Sequence, residues 1–175
     1  MRDCGGAVNL RDFTNAELRT ELLRRYQHPN AIRLQTPEQI AKHMQPLYLG
    51  LEREEFHVLC LDSRHYLLRQ ARVSIGSVDQ CYVDPREVFR PALTCRATGI
   101  VLLHNHPSGD PEPSAQDVAL TRQLRDAGKT LCLRVLDHIV VGSQLRGAST
   151  ELPHVSLLAR GLFEYSRPYA AEGRP

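Results

Sequence analysis

The chain lacks a C-x-x-C pair, an apolar run of membrane length, a marked excess of either charge, internal repeats and low-complexity tracts. Its five cysteines, Cys4, Cys60, Cys81, Cys95 and Cys132, are odd in number and widely scattered. That pattern argues against a disulfide framework and against a cysteine zinc site. Cys60 and Cys132 lie inside apolar runs, where a thiol is expected to act as a small core side chain. No segment approaches the roughly 18 consecutive apolar residues of a membrane helix. The N-terminal MRDCGGAVNLRDF has no apolar stretch of the secretion-signal kind, so the expected compartment is the cytoplasm. Lys and Arg number 22 against 20 Asp and Glu, a net charge of +2 that is too small and dispersed for a nucleic-acid footprint. Arg19, Arg24 and Arg25 sit at helical spacings and read as a solvated face.

What is present is an ordinary globular composition, with 42% hydrophobic and 24% charged residues in 175, enough for one domain with a real core. Thr14-x-x-Glu17 is a capping box that predicts a helix to about Tyr26. Thr36-Pro37-Glu38-Gln39 starts another, with Pro at the first helical position and Gln39 placed to reach back. Ile40, Ala41, Met44 and Leu47 form its apolar face. Phe56 to Asp62 reads as an interior strand and Tyr66 to Ser74 as its return. Asp84-Pro85-Arg86-Glu87 caps a helix whose apolar positions are Val88, Phe89, Ala92 and Leu93, with Pro91 inside it. Gly99 to His106 is the next strand, Ser114 to Ala127 a helix ended by Gly128, and Leu131–Leu136 and His138–Val141 two further strands. The alternation predicts an α/β sandwich with a mixed β-sheet flanked by helices. The first ten residues and those from Arg167 onward read as loose termini.

The chemistry concentrates in Val101–Asp117, VLLHNHPSGDPEPSAQD. His104 and His106 stand two apart at a strand end, so both imidazoles share a face. Zinc takes neutral imidazole nitrogens at about 2.0–2.1 Å, and two ligands on one strand fix half of its coordination. The loop from Pro107 to Pro113 reverses the chain, and Asp117 in the first turn of the next helix can swing back as a third ligand. Three protein ligands leave a fourth position for water, the open arrangement of a catalytic site. Each fragment also has a bland meaning. Ser114-x-x-Asp117 is a capping-box spelling, strand histidines are often satisfied by ordinary hydrogen bonds, and Asp110 reads as a turn former.

The full spacing His104-x-His106-x(7)-Ser114-x(2)-Asp117 matches the JAMM (MPN-plus, JAB1-type) metalloprotease motif without gaps. HNHPSGDPEPS, VLDHIVVG and DPREVFRPAL closely resemble the bacterial RadC-like family, a resemblance running from about Leu51 to Phe163. It implies a JAB1/MPN core, similar to the cytidine-deaminase-like sandwich, over residues 51–165; the residues themselves read as a helical lead segment at 1–50 and a flexible tail at 166–175. It also implies Zn²⁺ held by His104, His106 and Asp117, and a zinc-dependent hydrolase acting on a peptide or isopeptide bond of a peptide or protein substrate. Such sites need an upstream glutamate as general acid/base. The family spacing, two residues before the strand's aromatic, selects Glu54 from Glu52, Glu54 and Glu55. Strand alternation puts Glu54 with Phe56 and Val58, and Glu55 with His57; the bland reading of all three is a solvated acidic edge, and Glu54 is the expected acid/base. Ser114 would donate a hydrogen bond to the developing oxyanion. Asp137-His138 reads as a structural pair standing close behind the site.

Two other readings are open to this architecture. A deaminase needs H-x-E with P-C-x-x-C, and the chain has neither. A non-catalytic partner-binding or DNA-binding domain would suit the DNA-repair name the RadC-like family carries. The first 50 residues, however, lack the Gly-rich hairpin of the helix-hairpin-helix region that often accompanies it.

Overall fold

The computed structural model describes residue 14 and residues 32–76, 83–145, 147 and 149–164. The chain divides into two compact units, Met1–Ile32 and Arg33–Pro175, and the architecture below is that of the second. Apart from Thr14, the helix expected to run to Tyr26 lies outside the described residues, as do both expected loose termini.

Helix α1 spans Pro37–Tyr48, followed by β1 Glu55–Leu61 and β2 Leu67–Ile75. Then come α2 Pro85–Thr94, β3 Gly99–His106, α3 Ala115–Thr130, β4 Arg134–Gly142 and β5 His154–Ser156. The five strands form one sheet in the order β2-β1-β3-β4-β5. It is antiparallel except for β3 and β4, which run parallel and are joined through α3. This is the expected α/β arrangement of a mixed sheet with helices on both faces. Among the described residues no helix is long and apolar enough to cross a membrane.

Strand alternation divides the interior into two cores. Phe56, Val58, Cys60, Ile100, Leu102, Val135 and Val140 point to the face that α2 and α3 cover, meeting Val88, Phe89, Ala92 and Leu124. Leu59, Leu61, Val101, Leu103, Ile139 and Val141 point to the opposite face, under α1. His104 and His106 follow Leu102 in the alternation and so emerge on the α2/α3 face.

Three elements differ from expectation for identifiable reasons. The buried stripe of α1 is Ile40, Ala41, Met44 and Tyr48, while Leu47 is 46% exposed. Tyr48 lies four residues beyond Met44 on the same face, and its hydroxyl reaches His57 Nδ1 at 3.0 Å. In α2, likewise, Pro91 is buried and Leu93 faces solvent. Helix α3 continues through Gly128 to Thr130: a Cβ there would stand 2.5 Å from the Leu133 carbonyl oxygen, so this glycine permits close approach and does not end the helix. The chain after it turns at Cys132 with φ of 55°, which leaves that thiol exposed, whereas Cys60 is buried as expected.

The two strands expected around Asp137 are one strand, β4, carrying a bulge. Ile100 pairs with Val135 but Val101 pairs with Asp137, so Leu136 is the extra residue. Leu136 folds over Gly99, where a Cβ would meet its side chain at 2.9 Å. Helix α1 belongs with this unit: it packs on β4 and β5, so the packed core begins before residue 50.

Candidate metal centre

Strand β3 and helix α3 bring the sequence constellation together. Ser114 caps α3 reciprocally: its hydroxyl accepts from the Asp117 amide at 3.1 Å, and Asp117 Oδ2 accepts from the Ser114 amide at 2.7 Å. This box fixes the first turn and points the Asp117 carboxylate back over the end of β3. His104 Nε2 then lies 3.2 Å from Asp117 Oδ1, and His106 Nε2 lies 3.6 Å from Asp117 Oδ2. The two Nε2 atoms are 3.0 Å apart. One ligand atom from each of the three residues falls within 4.8 Å of the others.

These separations fit a metal ion. Tetrahedral ligands at about 2.0–2.2 Å from zinc stand about 3.3–3.6 Å from one another, close to the spacing found. The donor chemistry agrees as well. His106 Nδ1 lies 2.8 Å from the Asp110 carbonyl oxygen, which can only accept, so Nδ1 carries a proton and Nε2, turned inward, is the nitrogen left to serve as a ligand. Asp110 thus serves through its backbone, while its side chain accepts from the Glu112 amide at 3.3 Å. The loop between is held by Gln144 Nε2, which donates to the Pro107 carbonyl, and by Gly109 with φ of 79°.

Charge reinforces the geometry. Burial raises the Asp117 carboxyl, yet the hydrogen bonds from His104 and His106, the His104 charge and the Ser114 hydroxyl outweigh it and hold the group far below the usual carboxylate range. Burial lowers His106, but the Asp117 hydrogen bond, the Asp110 carbonyl and the charges of Asp117 and Glu54 raise it above its ordinary value. Glu54 is therefore an electrostatic neighbour of His106.

Glu55 faces the other way. Its carboxylate meets Arg72 at 3.1 Å and His57 Nε2 at 3.6 Å, on the face that carries Tyr48. What separates the two glutamates is Asn105, which sequence reasoning missed. It stands between the two histidines, so its side chain points to the opposite face of β3, where it is fully buried. Its Oδ1 accepts from the Glu55 amide at 2.7 Å, and its Nδ2 donates to the Arg53 carbonyl at 3.0 Å and to Ser143 Oγ at 2.7 Å. Glu54 is thereby gripped from both flanking peptides. The only sequence signal was a polar residue in an otherwise apolar inward series.

Ser114 Oγ also donates to Asp117 Oδ2 at 2.6 Å. His138 is fully enclosed and touches His104, with its Nε2 2.8 Å from His104 Nδ1. Its other nitrogen lies 2.5 Å from Thr121 Oγ1, a second contact that sequence reasoning missed. Burial, and next the charge of His104, hold the His138 ring well below its ordinary pKa. Phe56 stacks on the His104 ring at 6.1 Å between centroids with planes 7° apart, and meets His138 edge-on at 5.5 Å. Asp137, by contrast, is structural. Its carboxylate accepts from the His138 amide, Ser156 Oγ and the Leu158 amide, tying β4 to β5 and the turn after it.

The same residues are matched by a family model. The model of the RadC-like JAB domain matches residues 34–153, which include α1 and every residue of the centre. A UPF0758 protein of Geobacter sulfurreducens is 44% identical over 110 residues, covering 63% of this chain and 48% of that protein. One from Geotalea uraniireducens is 36% identical over 161 residues, covering 81% and 71%, and one from Methanosarcina barkeri is 41% identical over 107, covering 61% and 47%. The chain thus spans about half the length of several curated relatives it matches, and their names state no activity. With its fold, its centre and its sequence in agreement, the chain belongs to the RadC-like JAB domain family.

Proposed function

We propose that the chain is a zinc-dependent hydrolase of the JAMM type that cleaves a peptide or isopeptide bond with water, acting in the cytoplasm. The observation that carries this reading is the convergence of His104 Nε2, His106 Nε2 and the Asp117 carboxylate beside Glu54. His104, His106 and Asp117 would hold Zn²⁺, which when bound lowers the pKa of a coordinated water toward about 7 and polarises a carbonyl.

The remaining steps belong to the chain's own groups. Glu54 accepts the proton of the attacking water and hands it to the departing amine. Asn105 keeps the Glu54 backbone in place on both sides. Ser114 supplies the hydroxyl for the developing oxyanion, where a donor favours the transition state over the ground state. The Ser114 hydroxyl donates to Asp117 Oδ2 in this structure, so serving an oxyanion requires it to turn from that carboxylate.

The test combines elemental analysis with hydrolysis of a mixed library of linear and isopeptide-linked peptides. We expect about one zinc per chain, lost in His104→Ala and Asp117→Ala. Glu54→Gln should keep the metal and abolish cleavage. Protein that takes up no zinc, or Glu54→Gln cleaving as well as the native chain, refutes the reading. Glu55→Gln being the inactive variant instead would move the base to the other face.

A further inference from the structure

The hydrogen bonds behind His104 admit one direction only. Thr121 Oγ1 lies 2.6 Å from the Asp117 carbonyl oxygen and 2.5 Å from His138 Nδ1. A carbonyl oxygen has no proton to give, so the single hydroxyl proton goes to it. His138 Nδ1 must therefore donate to the Thr121 oxygen. Both His138 ring nitrogens are now accounted for, neither by a carboxylate, and the ring is fully buried. An imidazole so placed is neutral, since an uncompensated charge is costly away from water. His138 Nε2 consequently offers a lone pair, and His104 Nδ1, 2.8 Å away, is the donor. The proton that faces His138 is thus fixed on His104 Nδ1, which leaves Nε2, facing His106 and Asp117, as the nitrogen available to a cation.

Both ends of this chain of bonds are on the centre. Thr121 follows Asp117 by one helical turn, and its hydroxyl grips the Asp117 carbonyl. His138 reaches the site face only because the bulge at Leu136 shifts the alternation of β4 by one residue. Phe56 stands parallel to the His104 ring and edge-on to His138, an apolar wall beside both.

We propose that His138 and Thr121 are a tether which fixes His104 in its metal-ligating tautomer and locks it to Asp117, so that two ligands from different elements hold one geometry. Both are positioning residues, and the proposal rests on the metal reading above. Orienting groups behind metal ligands typically contribute 10–100-fold in affinity.

The experiment is a Zn²⁺ titration against a chromophoric chelator, comparing the native chain with Thr121→Val and Thr121→Ser. Valine keeps the shape and loses the hydroxyl, whereas serine keeps the hydroxyl and loses the methyl. The tether predicts that Thr121→Val weakens zinc binding about 10–100-fold while Thr121→Ser stays within about threefold. Packing alone predicts the reverse order. Native protein that binds no zinc refutes the metal reading; native protein that binds it and Thr121→Val that binds equally well overturns the tether. Long-range ¹H–¹⁵N spectra of the native chain add a test that needs no variant. His138 should be protonated at Nδ1 alone, and protonation at Nε2 would reverse the chain of bonds and overturn the proposal.

Discussion

Replacing Asn105 with alanine probes the link between the sheet and the candidate base. The side chain is fully buried and makes three hydrogen bonds, to the Glu55 amide, the Arg53 carbonyl and Ser143 Oγ. Arg53 is exposed and its carbonyl can turn to water, but Ser143 is fully buried and the Glu55 amide is partly so. Two stranded groups at about 1–3 kcal/mol each suggest a loss of about 3 kcal/mol. For a chain of this size that lowers the melting temperature by about 6–12 °C. The assay is thermal unfolding followed by circular dichroism on protein stripped of metal, so that ligand binding does not mask the change. The same variant, loaded with zinc, should lose cleavage more than zinc affinity, because the grip is on Glu54 and not on the ligands. A melting temperature within about one degree of native would show that residues 53–55 are held without Asn105.

The other expectations concern pH and the loop. His106 is raised above its ordinary pKa, so in metal-free protein its contribution to stability is complete below the unfolded value of about 6.5 and disappears as pH rises through the folded value. The stability difference between native and His106→Gln in chelator, measured by urea unfolding, should shrink as pH rises above about 6.5; a widening gap contradicts the raised pKa. Zinc affinity should climb over the same window as the competing proton leaves. Gly142→Ala places a Cβ 2.2 Å from the Gly109 carbonyl oxygen, a backbone contact that only a shift of the loop can relieve. That shift draws the Asp110 carbonyl from His106. We expect a loss of about 1–3 kcal/mol in urea unfolding together with weaker zinc binding, and an unaffected affinity would show that the loop does not orient His106.

Much of the centre was legible because it is local. Alternation along β3 puts His104 and His106 on one face whatever surrounds them, and Ser114-x-x-Asp117 closes its capping box within one turn of helix. Element types followed from apolar periodicity for the same reason. Leu47 and Tyr48 show where periodicity stops: both fit a helical stripe, and only packing against the sheet chose the tyrosine, whose hydroxyl finds His57. Glu54 and Glu55 are alike in composition and one residue apart. Tertiary contacts set them apart: Glu55 meets Arg72 and His57, Glu54 acts electrostatically on His106, and the backbone on both sides of Glu54 is held by Asn105, 50 residues away from Glu55.

By itself, then, the sequence determined which residues can ligate a metal, since their type and short-range spacing are properties of strand and helix geometry. Only the tertiary structure decided which groups stand behind them. The bulge at Leu136 is one extra residue in β4, and it turns His138 onto the site face beside His104. A shift of one residue exchanges every side chain of a strand between its two faces, and it is set by pairing across the sheet rather than by any residue near it in the chain.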